Sequence, residues 1–220
     1  MKNALFILAL ASVALSFSLN SAAQPASASL DEQLLQSVQK GDAVVVAQLL
    51  DKGANIEAKG QGGFTALIAA TAMGKVDIVK LLLEKGANTA VKDTRGDTAL
   101  HYAVMVGNLD ETKLLLAKGA SVNAKEESGL TPLMLSVVSG SVDLVKLLLA
   151  NGAQTESADV HGFTALMAAS GGGLVDIVKV LLEQGANVDA KSDDGTTALK
   201  LAVNNGKADV EKLLREKGAH

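Results

Sequence analysis

The side chains that could do chemistry in this chain are three histidines, His101, His161 and His220, and the acidic group Asp189, Asp193 and Asp194 ahead of Gly195. A zinc site draws on His nitrogen, Cys sulfur or carboxylate oxygen, with ligands typically paired at short spacing. No two of these histidines have that spacing, there is no H-E-x-x-H, and the chain has no cysteine. The absence of cysteine also excludes disulfides and a thiolate nucleophile. A calcium loop places oxygen ligands at alternate positions before a glycine. Here Lys191 stands where an oxygen is required, and Gly195 comes one residue late. Gly171-Gly172-Gly173 is not followed by the Gly-Lys-Ser/Thr of a phosphate loop, and Gly74-Lys75 and Gly206-Lys207 continue with Val and Ala. No pair of carboxylates stands apart as a general acid and base. The sequence therefore assigns no catalytic, cofactor-binding or metal-ligating residue, and the expectation is a protein that is not an enzyme and carries no cofactor.

Composition points the same way. Apolar residues make up 48% of the 220, but aromatics only 2%, with no Trp. Such a core must be built of Leu, Val, Ile and Ala, which suits closely packed helices better than a sandwich or barrel. The formal charge of −4 lacks the basic face of a nucleic-acid binder.

The N-terminus reads as a leader. Met1-Lys2 is a short positive start, and Ala4 to Leu19 is an uncharged, largely apolar run of 16 residues. A membrane-spanning helix needs roughly 20. Ser21-Ala22-Ala23 and Ala26-Ser27-Ala28 both fit a small-x-small cleavage site. The expectation is a bacterial signal peptide over 1–23, with cleavage after 28 as the alternative, giving a periplasmic or secreted chain with no membrane insertion after cleavage. Cleavage after Ala23 removes only Lys2 among the charges, taking the net charge from −4 to −5.

What must position any site is an internal repeat. Thr65, Thr98, Thr131, Thr164 and Thr197, each followed two residues later by Leu, lie 33 residues apart. Gly41, Gly74, Gly107, Gly140, Gly173 and Gly206 keep that interval, and so do the Gly-Ala pairs from Gly53-Ala54 to Gly218-Ala219. Each marker has a physical task. Thr caps a helix, and Pro132 occupies a first turn where its missing N–H costs nothing. A small residue three positions after the Leu (Ala70, Ala103, Ser136, Ala169, Ala202) allows close helix approach, and the Gly ends that helix. A second helix follows, for example over 76–83. Asp77, Asp110, Asp143, Asp176 and Asp209 lie in its first turn, and a Lys stands three residues on in each copy, from Lys80 to Lys212. An i,i+3 ion pair is expected on each outer surface. The residues up to the next Thr read as a projecting turn or hairpin.

A 33-residue period of two helices and a loop with a T-x-L signature resembles the ankyrin repeat. Thr98-Ala99-Leu100-His101-Tyr102-Ala103 comes nearest to that family's T-P-L-H-x-A motif, while Ile68, Met134, Met167 and Lys200 replace its His elsewhere. The resemblance covers 29–220 and implies an all-α solenoid of six repeats, about 29–59, 60–92, 93–125, 126–158, 159–191 and 192–220. Ser29-Leu30-Asp31-Glu32 fits a capping box opening the first helix. Arg215 and Glu211 replace apolar residues of the earlier copies, as a terminal repeat with one unpartnered face requires, so the array reads as complete.

The resemblance further implies a contact surface on the concave side, made of finger loops and the exposed ends of the first helices. There the chain places Phe64, Met73, Met105, Val106, Leu130 and Phe163. Exposed aromatic, Leu and Met side chains make interface anchors. The expected function is a monomeric, non-enzymatic scaffold of the bacterial envelope that binds a protein partner. A dedicated immunity factor for one envelope enzyme or toxin is the alternative, and an enzyme or metal-binding protein the remote one.

Overall fold

The computed structural model describes residues 28–220; the leader expected over 1–23 lies outside them. Twelve α-helices follow in pairs among the described residues: α1 (Leu30–Lys40) and α2 (Ala43–Asp51), α3 (Ala66–Ala72) and α4 (Val76–Glu84), α5 (Ala99–Val106) and α6 (Leu109–Ala117), α7 (Pro132–Ser139) and α8 (Val142–Ala150), α9 (Ala165–Gly172) and α10 (Val175–Glu183), α11 (Ala198–Asn204) and α12 (Ala208–Glu216). The chain forms two compact units, one ending at Ser121 and the other beginning at Val122.

The markers do locally what their chemistry dictates. The Thr65, Thr131, Thr164 and Thr197 hydroxyls accept from the backbone N–H three residues on, at 3.2–3.4 Å. Asp42, Asn108 and Ser141 cap second helices in the same way. Each such cap contributes roughly 1 kcal/mol. The capping box at Ser29 forms: its Oγ accepts from Glu32 N–H at 3.2 Å, and Glu32 Oε2 accepts from Ser29 N–H at 3.0 Å.

In the first unit α1, α3 and α5 stack as one row and α2, α4 and α6 as a second. Leu34, Leu67, Leu100 and Leu82 are fully buried there. In the second unit α7, α9 and α11 form one row and α8, α10 and α12 the other, burying Leu133, Leu166, Leu144 and Leu148. Ala70, Ala103, Ser136, Ala169 and Ala202 are wholly buried, because a larger side chain there would hold the first helices apart.

The fingers stack through backbone bonds. Thr94 N–H donates to Gly62 C=O in the first unit, and Val160 N–H to Ser128 C=O and Asp193 N–H to His161 C=O in the second, at 2.9–3.0 Å. Gly162 shows why this position excludes side chains: its φ is +77°, and a Cβ would lie 3.0 Å from Ser192 Cα. The fingers are turns with one isolated antiparallel bridge, Ala158 to Thr164, and no strand among the described residues.

The expected row of i,i+3 pairs is corrected. Lys113–Asp110 and Lys179–Asp176 form, at 3.6 and 3.8 Å, while Lys212 turns to Glu216 at 4.0 Å. These side chains are well solvated, so the Coulomb gain is small and does not fix their conformation. At the last helix Arg215 pairs with Glu211 at 3.0 Å.

Candidate partner-binding surface

The six residues expected to form an apolar strip differ in exposure. In the first unit Phe64 closes its finger, with its C=O accepting from Gly60 N–H at 2.9 Å. Its ring is 6% exposed and lies 5.4 Å from the Tyr102 ring, tilted by 50°. The Phe64 ring is thus buried within the first unit, with Tyr102 of the next repeat packed against it. Met73, Met105 and Val106 are half-buried at the ends of α3 and α5.

In the second unit Leu130 and Phe163 are also half-buried. Their N–H groups are held by acidic side chains, Leu130 by Glu126 Oε1 and Phe163 by Asp159 Oδ1, both at 2.8 Å. Phe163 occupies the repeat position of Phe64, but Leu201 stands where the equivalent of Tyr102 would be. A Leu offers less cover than a phenol ring, consistent with the greater exposure of Phe163.

Beside Phe64 lies a polar network that sequence reasoning missed. Tyr102 donates its hydroxyl to Asp93 Oδ2 and accepts from Arg95 Nη2, both at 2.6 Å. Arg95 also sits 5.9 Å over the Tyr102 ring and 3.2 Å from Asp97 Oδ2. Asp93 Oδ1 accepts from the Arg95 and Asp97 N–H groups at 2.8 and 2.9 Å. Burial, reinforced by Asp93, holds the Tyr102 hydroxyl far above its ordinary titration range. The signal was present in the sequence: Tyr102 is the only Tyr, seven residues from Arg95. His101, at the T-x-L-H position, accepts Thr98 N–H on Nδ1 at 3.1 Å and ties the cap to its helix.

The most exposed large apolar groups of the second unit are Val138 at 59% and Val160 at 57%. Val138 occupies the repeat position of Met105 at the end of α7. Val160 is a finger tip, where other copies carry Gln61, Thr94, Glu127 and Asp193. On another finger, hydrogen bonds from the Ser192 and Thr196 hydroxyls and the Thr196 N–H hold the Asp194 carboxyl below its usual range. The remaining histidines lie apart, with His161 N–H on Asp159 and His220 N–H on Asp189. No three His, Cys, Asp or Glu side chains among the described residues are grouped to hold a metal ion.

Stacked helix pairs with capped first helices and interlocked fingers define a repeat protein whose variable positions lie on fingers and helix ends. The ankyrin-repeat model matches three times, over residues 21–93, 88–159 and 155–220, and the chain belongs to the ankyrin-repeat family. It is similar to an ankyrin repeat domain of Acinetobacter baumannii of known crystal structure, with 31% identity and a TM-score of 0.80 over 85% of this chain and 98% of that one. No curated protein matches the chain. Ankyrin repeats serve generally as protein–protein interaction modules, and no helix among the described residues is long and apolar enough to cross a membrane.

Proposed function

We propose that the chain is a non-enzymatic scaffold of the bacterial envelope that holds one protein partner through finger loops and first-helix ends. The observation that carries this reading is the exposure of Val138 and Val160 at positions where the repeat tolerates polar residues. Isolated exposed valines are unremarkable in themselves, but on a fold used for protein recognition they are the side chains a partner would desolvate. Half-buried Met73, Met105, Val106, Leu130 and Phe163 supply further apolar area on the same kinds of position. The envelope location rests on the positive start, the short apolar run and the small-x-small sites of the first 28 residues.

The test is capture from envelope extract with the chain from Gln24 as bait, alongside Val138→Asp and Lys146→Glu variants. One captured protein, lost with Val138→Asp and kept with Lys146→Glu, supports the reading. Equal capture by all three baits refutes it.

A further inference from the structure

One repeat breaks the pattern in its core. The position that holds Ile78, Leu144, Ile177 and Val210 holds Glu111 in α6. The side chain does not turn out to solvent: Glu111 is 0% exposed, and neither carboxylate oxygen has a hydrogen-bond partner. Its neighbour Thr112 replaces the buried Val79 and Val145 of other copies, and bonds back to Asn108 C=O at 2.7 Å.

A second irregularity adjoins the same helix. After five of the six second helices, a backbone N–H is held by a side chain from an earlier segment. Asn55 is held by Asp31 and Asn88 by Glu57 in the first unit; Gln154 is held by Asn123, Asn187 by Glu156 and His220 by Asp189 in the second. The corresponding N–H after α6 is that of Ser121, and the residue at the holding position is Ala90, which has no side-chain acceptor. So α6 carries an unpaired carboxyl within it and lacks the tie that follows other second helices.

We propose that α6 is a pH-responsive element of the array, closed when the Glu111 carboxyl is neutral and opened, with the turn to Ser121, when that carboxyl ionises. An ionised carboxylate without a partner is costly to bury, so ionisation favours states in which Glu111 meets water. The elements packed most closely on α6 are α5 and α4. On α5 the titratable groups are His101, bonded to Thr98, and Tyr102, engaged with Asp93 and Arg95. On α4 they are Asp77, Lys80 and Glu84, all exposed, and on α6 itself Asp110 and Lys113 pair at the surface. None of these offsets the loss of water at Glu111, and burial alone pushes its carboxyl up to about 7 from 4.5. Because the folded carboxyl titrates higher than the unfolded one, the contribution to stability is full below pH 4.5. It declines as pH rises through about 7 and then levels off.

Hydrogen exchange of the full chain, corrected for the intrinsic pH dependence of exchange, reads this helix by helix. Between pH 5 and pH 8 the amides of α6 should open more, by roughly 10- to 100-fold. Those of α8, which has Leu144 at the equivalent position, serve as the internal control and should not change. Glu111→Gln removes the charge and Glu111→Leu restores the apolar position; each should flatten the response of α6. An α6 that opens equally at both pH values in the unaltered chain overturns the proposal. So does a pH response that survives in whichever variant folds, or a Glu111 carboxyl signal in ¹³C NMR with its midpoint near 4.5.

Discussion

The Asn123 side chain clasps the turn before Gln154, with Oδ1 accepting the Gln154 N–H at 2.9 Å and Nδ2 donating to Gly152 C=O at 3.0 Å. Ala90 occupies the same repeat position one copy earlier and is exposed, with its own N–H already held by Asn88 Oδ1 at 2.9 Å. Ala90→Asn should therefore create the missing clasp on Gly119 and Ser121 without disturbing the loop. The expected gain is about 0.5–1.5 kcal/mol, the net worth of an intramolecular hydrogen bond, read as a higher urea midpoint. Asn123→Ala should lose a similar amount. An unchanged midpoint for both variants would mean that these clasps follow the turn and do not stabilise it.

Tyr102→Phe keeps the ring against Phe64 but removes the hydroxyl between Asp93 and Arg95. Asp93 is buried and would lose its Oδ2 donor, so unfolding should become easier by about 1–3 kcal/mol. Phe64→Ala should cost more, roughly 3–5 kcal/mol, because it leaves a cavity beside Tyr102. If Phe64→Ala barely moves the midpoint while abolishing partner capture, the ring is an interface anchor after all and its burial is incidental.

The fold was legible because each of its devices is local. Ser29 and Glu32, the five Thr caps and Gly41 through Gly206 state where first helices begin and end, and a 33-residue register leaves one way to stack them. The site was less legible because exposure depends on what the next repeat supplies. Phe64 and Phe163 are the same letter at the same position, yet Tyr102 packs on one while Leu201 takes the repeat position of Tyr102 for the other. Residue type does not mark Val138 and Val160 as exposed, because Val is common in the core as well. Glu111 could have been found by reading down the column Ile78, Glu111, Leu144, Ile177, Val210. It was hidden by Asp110 before it, since an acidic residue suits a helix's first turn.

Glu111→Leu returns that column to its apolar pattern. At pH 8 it should stabilise the chain by about 1–3 kcal/mol, the usual cost of a buried polar group without a partner. At pH 4, where the wild-type carboxyl is neutral in both the folded and unfolded states, the gain should shrink. A gain of equal size at both pH values would assign the cost to shape and not to ionisation.

Export makes a chemical prediction about the N-terminus. Mass spectrometry of the protein from the envelope fraction should find a chain beginning at Gln24, or at Ser29 if Ala26-Ser27-Ala28 is the site used. An intact Met1 in that fraction would rule out cleavage.

The partner surface can be separated from the core because the two respond to different variants. Val138 is 59% exposed at the end of α7, so Val138→Asp removes little packing and should shift the unfolding midpoint by no more than about 0.5 kcal/mol. If a partner desolvates this position, a charge there should weaken capture at least tenfold, or about 1.4 kcal/mol. Phe163, half-buried, should show both effects when truncated, with a smaller loss of stability than Phe64→Ala. Leu100 is fully buried, and Leu100→Ala should cost about 2–5 kcal/mol while leaving capture intact at temperatures where the chain stays folded. Lys146 lies exposed on α8, and Lys146→Glu should change neither quantity. Capture that survives Val138→Asp and Phe163→Ala but fails with Lys146→Glu would move the partner to the second-helix surface and remove the fingers from the site.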